Sequence, residues 1–569
     1  MAVPRLPTNF NPWTPEGANP VTAEVMEQVW PQAFVTDSQG ALTTEPGFLE
    51  DAEVESLSPF TVVYTLNPSA VWSDGKPIGV ADFVYNWQQQ LRWAPDLPES
   101  GLAAGYEAIS SITSSNGGST VTVAFSHPYT EWESLFSDLV PAHVAEHYGW
   151  AAPFDGFHPG RLVSGGPFEI TSYTPGVKLV LSRNPHYWFT PASVAHIVLE
   201  VEPSADVLSD VETGRVDIAE TPAGPAVGEA VAQAAQAGIL LTASTVELPT
   251  LWQLCFNTTA PTVDTTAFRA GIEHSLYLDE ITADSAGLED SSILPYGNQL
   301  VLGQATSSGP ATNVFGSGTT PSGGSASASA GVGYDVAAAE ASFSSAGYVR
   351  AQSGALRLAA TGQAVKLSLL VPAGVAAVQQ AADVIQAELG AVGIDVVLHV
   401  VSLDSMLGSL LPLGEYQMAL APFLLTTFPA SELPVYSGSV LPSGAPPPAI
   451  DNGAERATTA GEEPGATEAG VVTRDVFGLN DPTVTSDLTQ ALTNLNPTDD
   501  ESLIVAAETR LWLDLPTIPL FQQPVDVVSA SDISSVSDSP TWAGVFWDAQ
   551  DWLIQSSPAV VPSSASSAS

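Results

Sequence analysis

Short apolar runs separated by turns dominate the first part of the chain. Residues 60–66 read Phe-Thr-Val-Val-Tyr-Thr-Leu, β-branched and aromatic side chains that suit a pleated, half-buried surface, and predict a strand. After the Asp74-Gly75 turn, Phe83, Trp87 and Leu91 recur at i, i+4 and i+8, which sets them on one face of a helix over 80–91. Gly79 stands at its cap, and Asp82 lies in its first turn near the positive end of the helix dipole. Strands are expected at 121–125, at 168–170 and 178–181 as a hairpin, and at 194–201. A short helix over 206–213 and a strand at 215–219 follow.

A second block begins near Leu251. A strand is expected at 252–257. Asp264 is placed to cap a helix reaching about Leu278, with Phe268, Ile272 and Leu276 on one face. Residues 376–392 form the clearest amphipathic pattern, between apolar runs at 365–371 and 394–401. Strand, helix and strand in that order predict an α/β crossover unit. Residues 303–333, mostly Gly, Ser, Thr and Ala, and 442–470, with Pro-Pro-Pro and several Glu, carry too little apolar surface to offset the entropy of ordering. Both are expected to be mobile insertions, and 556–569 a disordered tail.

At 569 residues and 44% hydrophobic content, the chain can bury a large core divided between two or more lobes. Its 62 Asp and Glu against 14 Lys and Arg give a formal charge of −48. That balance argues against nucleic acid, where affinity comes from cations that displace counterions, and against an anionic membrane surface. It leaves solubility, adaptation to salt, or attraction of cationic ligands. Cys255 is the only cysteine, so no intrachain disulfide or paired-cysteine metal site is possible; its Leu-Cys-Phe setting suggests a small buried residue. No uninterrupted apolar stretch of about 18 residues occurs, so no transmembrane helix is expected. Residues 1–8 lack a basic region followed by an apolar core. A signal peptide is therefore not expected in this chain, and any membrane anchor belongs to a precursor.

One cluster resembles a metal motif. His143-Val-Ala-Glu146-His147 matches the H-x-x-E-H pattern of inverted zinc peptidases, and a helix would set both histidines on one face. A catalytic zinc also needs a third ligand and a held water, and Pro141 and Pro153 leave room for only two or three turns. A surface helix with two ordinary histidines competes with that reading. No P-loop lysine motif and no G-x-S-x-G elbow occur, so no cofactor, metal or enzymatic activity is expected. The 13 Trp, 13 Tyr and 20 Phe are more informative: most belong to the core, and some can line an apolar cleft with a few polar anchors.

Ordered motifs then point to a family. Val71-Trp-Ser-Asp-Gly-Lys-Pro-Ile-Gly-Val-Ala-Asp-Phe83 resembles the W-S-D-G-x-P-[LV]-T-A-x-D-V signature of the oligopeptide/dipeptide/nickel solute-binding proteins of ABC importers (family 5), with Gly79 where that family has a capping Thr. Ser164-Gly-Gly-Pro-Phe168 is similar to its T-G-P-[YF], and Arg183-Asn-Pro-His-Tyr-Trp188 to its R-N-P-x-Y-W. Phe256-Asn-Thr258 with Phe268-Arg-Ala270, then Ala346-Gly-Tyr348, Gly393-Ile-Asp-Val396 and Leu515-Pro-Thr-Ile-Pro-Leu-Phe521 continue in the family's order. The low lysine and high alanine content is compatible with an actinobacterial member.

The resemblance implies an α/β fold of the periplasmic-binding-protein type II (Venus flytrap) class, two-lobed, with an extra subdomain inserted in lobe one. The expected division is lobe one at 1–40, 165–250 and 513–555, the inserted subdomain at 41–164, and lobe two at 251–512. It further implies an extracytoplasmic monomer that captures a small solute, first of all an oligopeptide, between its lobes and delivers it to ABC permease membrane subunits. Glu16-Gly17-Ala18, after Trp13, resembles the acidic-Gly-small segment beside the peptide, and Trp252 an aromatic near the cleft. Leu424-Leu-Thr426-Thr427-Phe428 occupies the place of the family's W-x-x-D-Y, whose Asp pairs with a peptide α-amine; Glu432 is the nearest downstream carboxylate. With Thr427 at that position the charge-assisted anchor is missing, and a neutral hydrogen-bonding ligand such as a sugar or lipid headgroup gains weight. A family member uncoupled from transport, acting as an envelope scaffold or regulator, and a zinc peptidase through His143, Glu146 and His147 are the alternatives.

Overall fold

The computed structural model describes residues 1–3, 5–14, 16–17, 20–36, 42–93, 103–202, 206–223, 225–278, 280–281, 334–424, 428–436, 476–536 and 544–554. The expected insertions at 303–333 and 442–470 and the tail from 556 lie outside these residues, as do Ala18, Thr426 and Thr427.

Phe60–Leu66 forms a strand at the expected bounds, its inner positions buried. It pairs with Leu49–Leu57 and Thr120–Phe125, and Ile109–Ser115 completes an antiparallel sheet of four. The helix Val80–Trp93 turns its apolar face inward: Phe83 is fully buried and its ring packs on Tyr64, Phe48 and Phe136. Burying a side chain of that size contributes about 1.5–3 kcal/mol.

A mixed sheet of ten strands forms the spine of the molecule. Two long antiparallel strands, Leu241–Phe256 and Thr517–Ala530, lie at its middle. Their register shifts between Glu247 and Leu251 and again at Trp252–Gln253. On one side of the shifts, Thr517–Ala530 pairs through Val525–Ser529 with Ile218–Pro222, and the sheet continues through Ala2–Val3, His196–Val201, Lys178–Arg183 and Phe168–Thr174. On the other side, residues 250–256 pair with Met418–Leu424, followed by Lys366–Pro372 and Asp395–Val401. The last two are parallel and joined by the helix Ala376–Ala391, the expected crossover unit.

Three local expectations shift. The strand expected at 252–257 starts at Leu241, because the register break absorbs Pro249, which hides the continuity of the strand from the sequence pattern. Ile218, not Arg215, begins the next strand; Arg215 instead binds the carboxylates of Asp210 and Glu202. Thr265, not Asp264, caps the helix Thr266–Glu273, accepting from the Phe268 amide, and the helix ends five residues before Leu278. Cys255 is fully buried, as its setting suggested.

Candidate ligand site between the lobes

The segment that carries Trp13, Glu16 and Gly17 is held by its own backbone. The Asn11 side chain accepts from the Trp13 amide at 3.0 Å and donates to the Trp150 carbonyl at 2.8 Å. The Thr14 hydroxyl donates to the Asn11 carbonyl, and the Gly17 amide donates to Thr14. A Cβ at Gly17 would stand 1.9 Å from the Asn11 carbonyl oxygen, so only glycine closes this turn. Trp13, half-buried, donates its indole N–H to the Asp138 carbonyl at 3.2 Å and accepts the Trp150 indole N–H on its own carbonyl. Glu16 is exposed.

Beneath this loop lies a group of carboxyls that the sequence did not single out. Asp138 is 8% exposed, in the left-handed region at φ 45°, and its Oδ1 has no partner among the described residues. Burial pushes the Asp138 carboxyl up to about 7. It pushes Glu27 and Glu45 up to about 8, with repulsion from Asp138 adding to each. Glu45 Oε2 accepts from the Gln32 amide at 2.6 Å. Near neutral pH Glu27 and Glu45 are largely and Asp138 partly protonated, able to donate as well as accept.

Leu424 ends the strand that pairs with residues 250–256, opposite Thr250. Phe428, half-buried, opens the turn Pro429–Glu432 and accepts from Ser431 on its carbonyl. Trp252 stands apart: it is 5% exposed and packs in an apolar core with Leu254, Phe256 and Phe521. Next to Phe428, the Glu131 carboxylate accepts from the Ala430 amide at 2.8 Å.

The histidine cluster is divided. His143 Nε2 lies 3.0 Å from the Asp74 carboxylate, whereas Glu146 and His147 are exposed on the helix Ala142–Tyr148. No group of three His, Cys, Asp or Glu able to hold a metal occurs among the described residues, so the geometry does not favour the zinc reading.

The motif residues brace the fold. The Ser164 hydroxyl bonds the carbonyls of Val29 and Phe168, and Asn184 donates to the Gly166 carbonyl at 2.9 Å. A Cβ at Gly166 would stand 2.4 Å from the Gln28 carbonyl oxygen. This knot joins the N-terminal segment to the hairpin of the large sheet. Residues 43–439 match the model of the bacterial extracellular solute-binding proteins, family 5 (middle). The chain belongs to this family. It is a solute-binding protein of the ABC-importer type, and the family acts outside the cytoplasm. Among the described residues no helix is long and apolar enough to cross a membrane.

Among its relatives is LpqW of Mycobacterium tuberculosis, named a probable monoacyl phosphatidylinositol tetramannoside-binding protein. It is 28% identical over 97% of this chain and 91% of its own length. The oligopeptide-binding protein OppA of Mycobacterium bovis is 30% identical over 35% of this chain and 34% of its own. Of solved structures, the periplasmic EDTA-binding protein EppA superposes with a TM-score of 0.78 at 23% identity, covering 98% of this chain and 96% of that one. The oligopeptide-binding protein AppA of Bacillus subtilis, in complex with a nonapeptide, superposes at 0.72 and 12% identity, covering 98% of each. These likenesses carry the two-lobed type II fold.

Proposed function

We propose that this protein encloses a polyhydroxylated headgroup of the mannosylated phosphatidylinositol type between its lobes and presents it to membrane permease subunits. The observation that carries the reading is the near end-to-end match to LpqW, against a match to OppA confined to about a third of the chain. The residues agree with it. Thr427 stands in sequence where the family's amine-binding Asp is expected. The half-buried Trp13 offers a face for a sugar ring, and the buried carboxyls of Asp138, Glu27 and Glu45, all raised by burial, offer hydrogen bonds to hydroxyls. A charge of −48 works against long-range attraction of a phosphodiester, so affinity rests on contacts to the sugars. Trp13, Glu16, Gly17 and Ala18 on lobe one, and Leu424, Thr426, Thr427 and Phe428 on lobe two, are the proposed lining; Trp252 supports it from the core.

An oligopeptide is the second reading, favoured by the OppA match. A thermal-shift screen separates the two, with deacylated phosphatidylinositol tetramannoside, mixed tri- to pentapeptides and nickel as probes. A ligand at a hundredfold its Kd adds about 2.7 kcal/mol to stability. The mannoside headgroup is expected to raise the melting temperature and peptides to leave it unchanged; the reverse result establishes the peptide reading.

A further inference from the structure

We propose that residues 129–131 form a built-in clamp that holds the two lobes together through direct protein–protein bonds, so that closure has a component independent of solute. By the division expected from sequence, these residues belong to the subdomain at 41–164 and their partners to lobe two.

The clamp has two jaws. Thr130 donates its backbone N–H to the Leu492 carbonyl at 3.0 Å and its hydroxyl to the Ala491 carbonyl at 2.7 Å. Those carbonyls lie at the C-terminal end of the helix Pro482–Ala491, where no further turn of helix supplies donors. Glu131 Oε1 accepts from the Ala430 amide at the start of the turn Pro429–Glu432. Opening the lobes would return all of these groups to water.

The jaws are rigidly mounted. Tyr129 is buried and its hydroxyl meets Ser134. Ser134 donates to the Glu131 carbonyl at 2.6 Å, and the Trp132 ring packs edge-on against Phe34 and Tyr64. Behind them one apolar cluster runs across the boundary, from Leu135 and Phe136 to Ala430, Leu433, Leu488 and Leu492.

The second oxygen of Glu131 is buried and has no partner among the described residues, and neither has Oδ1 of Asp500. Burial raises the Glu131 carboxyl to about 8; the Ala430 and Ser431 amides lower it, and the Asp500 and Glu432 carboxylates raise it. Asp500 itself is raised to about 6 by burial. Tyr129 and Glu133 are the other titratable groups of the clamp segment, and burial raises both. An open-state Glu131 with an ordinary carboxyl would therefore take up a proton on closing. Closure is fully favoured below about pH 4.5, weakens as pH rises towards about 8, and changes little above that.

The test needs no ligand, so its failure is distinct from failure of the capture reading. Spin labels at Glu55→Cys and Ala341→Cys, both exposed, report the interlobe distance by pulsed electron resonance, while the fully buried Cys255 stays unlabelled. Wild type is expected to give one short distance at pH 6. Thr130→Val with Glu131→Ala removes two hydrogen bonds of ordinary net worth and should raise the long-distance population about tenfold. Glu131→Gln keeps the acceptor and should stay closed from pH 5 to 8.5, while wild type opens across that range. An unchanged distribution in the double variant overturns the clamp. Should the double variant melt early, Thr130→Val alone decides, with about a threefold rise supporting the clamp and no rise overturning it.

Discussion

Arg269 shows how a single residue of the family pattern serves the fold rather than the ligand. It is 3% exposed, and its guanidinium donates to the carbonyls of Leu515 and Val263, both at 2.8 Å, and of Asp514. Burial lowers its pKa to about 10, which leaves it charged. Arg269→Ala is expected to cost about 3 kcal/mol in a urea titration, because three buried carbonyls lose a charged donor, and Arg269→Lys to recover only part of that, since an ammonium cannot span the fork. Gly17→Ala should also destabilise, by about 2 kcal/mol on the same measurement, as the Asn11 carbonyl must move aside. The carboxyls of Glu27, Glu45 and Asp138 have pKa values above their unfolded ones. Their contribution to stability is therefore greatest below about pH 4, is lost as pH rises through about 7 to 8, and is flat beyond. Urea midpoints at pH 5.5 and 8.5 should differ accordingly in wild type, and Glu45→Gln with Asp138→Asn should narrow the difference; an equal difference in that variant would place the pH dependence in the general surface charge. Little of this was legible in sequence. With 62 carboxylates in the chain, spacing alone gives no reason to prefer Asp138 or Glu131 over any other.

At the scale of elements, the helix Val80–Trp93 was readable because its face repeats cleanly and its cap chemistry is local. Asp82 supplies one half of a capping box, accepting the Gly79 amide at 3.0 Å on one oxygen, and holds the Ala142 amide at 2.9 Å on the other. A Cβ at Gly79 would meet nothing nearer than 3.9 Å. Gly79→Thr, restoring the family's cap residue, should therefore stabilise by about 0.5–1 kcal/mol, read as a rise in the urea midpoint. Elements whose definition is long-range are not legible locally. Leu241–Phe256 is a strand of 16 residues only because Thr517–Ala530 and Met418–Leu424 pair with it. The local sequence, interrupted at Pro249, shows only its last third. The cap of Thr266–Glu273 was missed by one residue because Asp264 and Thr265 are both good caps, and only the Phe268 amide decides between them.

At the scale of the molecule, the order of the motifs discloses the two-lobed fold, while contacts between segments far apart in the chain stay hidden. Partners such as Thr130 and Leu492 are more than 360 residues apart, and neither belongs to a recognisable pattern. Capture between two lobes needs a ligand that touches both sides, since only differential contact with the closed state can favour closure. Hydrogen–deuterium exchange of the full chain, with and without deacylated phosphatidylinositol tetramannoside, tests this most directly. The account predicts slowed exchange of backbone amides at residues 9–17 and 424–432 together; protection of one lobe alone, or of neither, would contradict capture between the lobes.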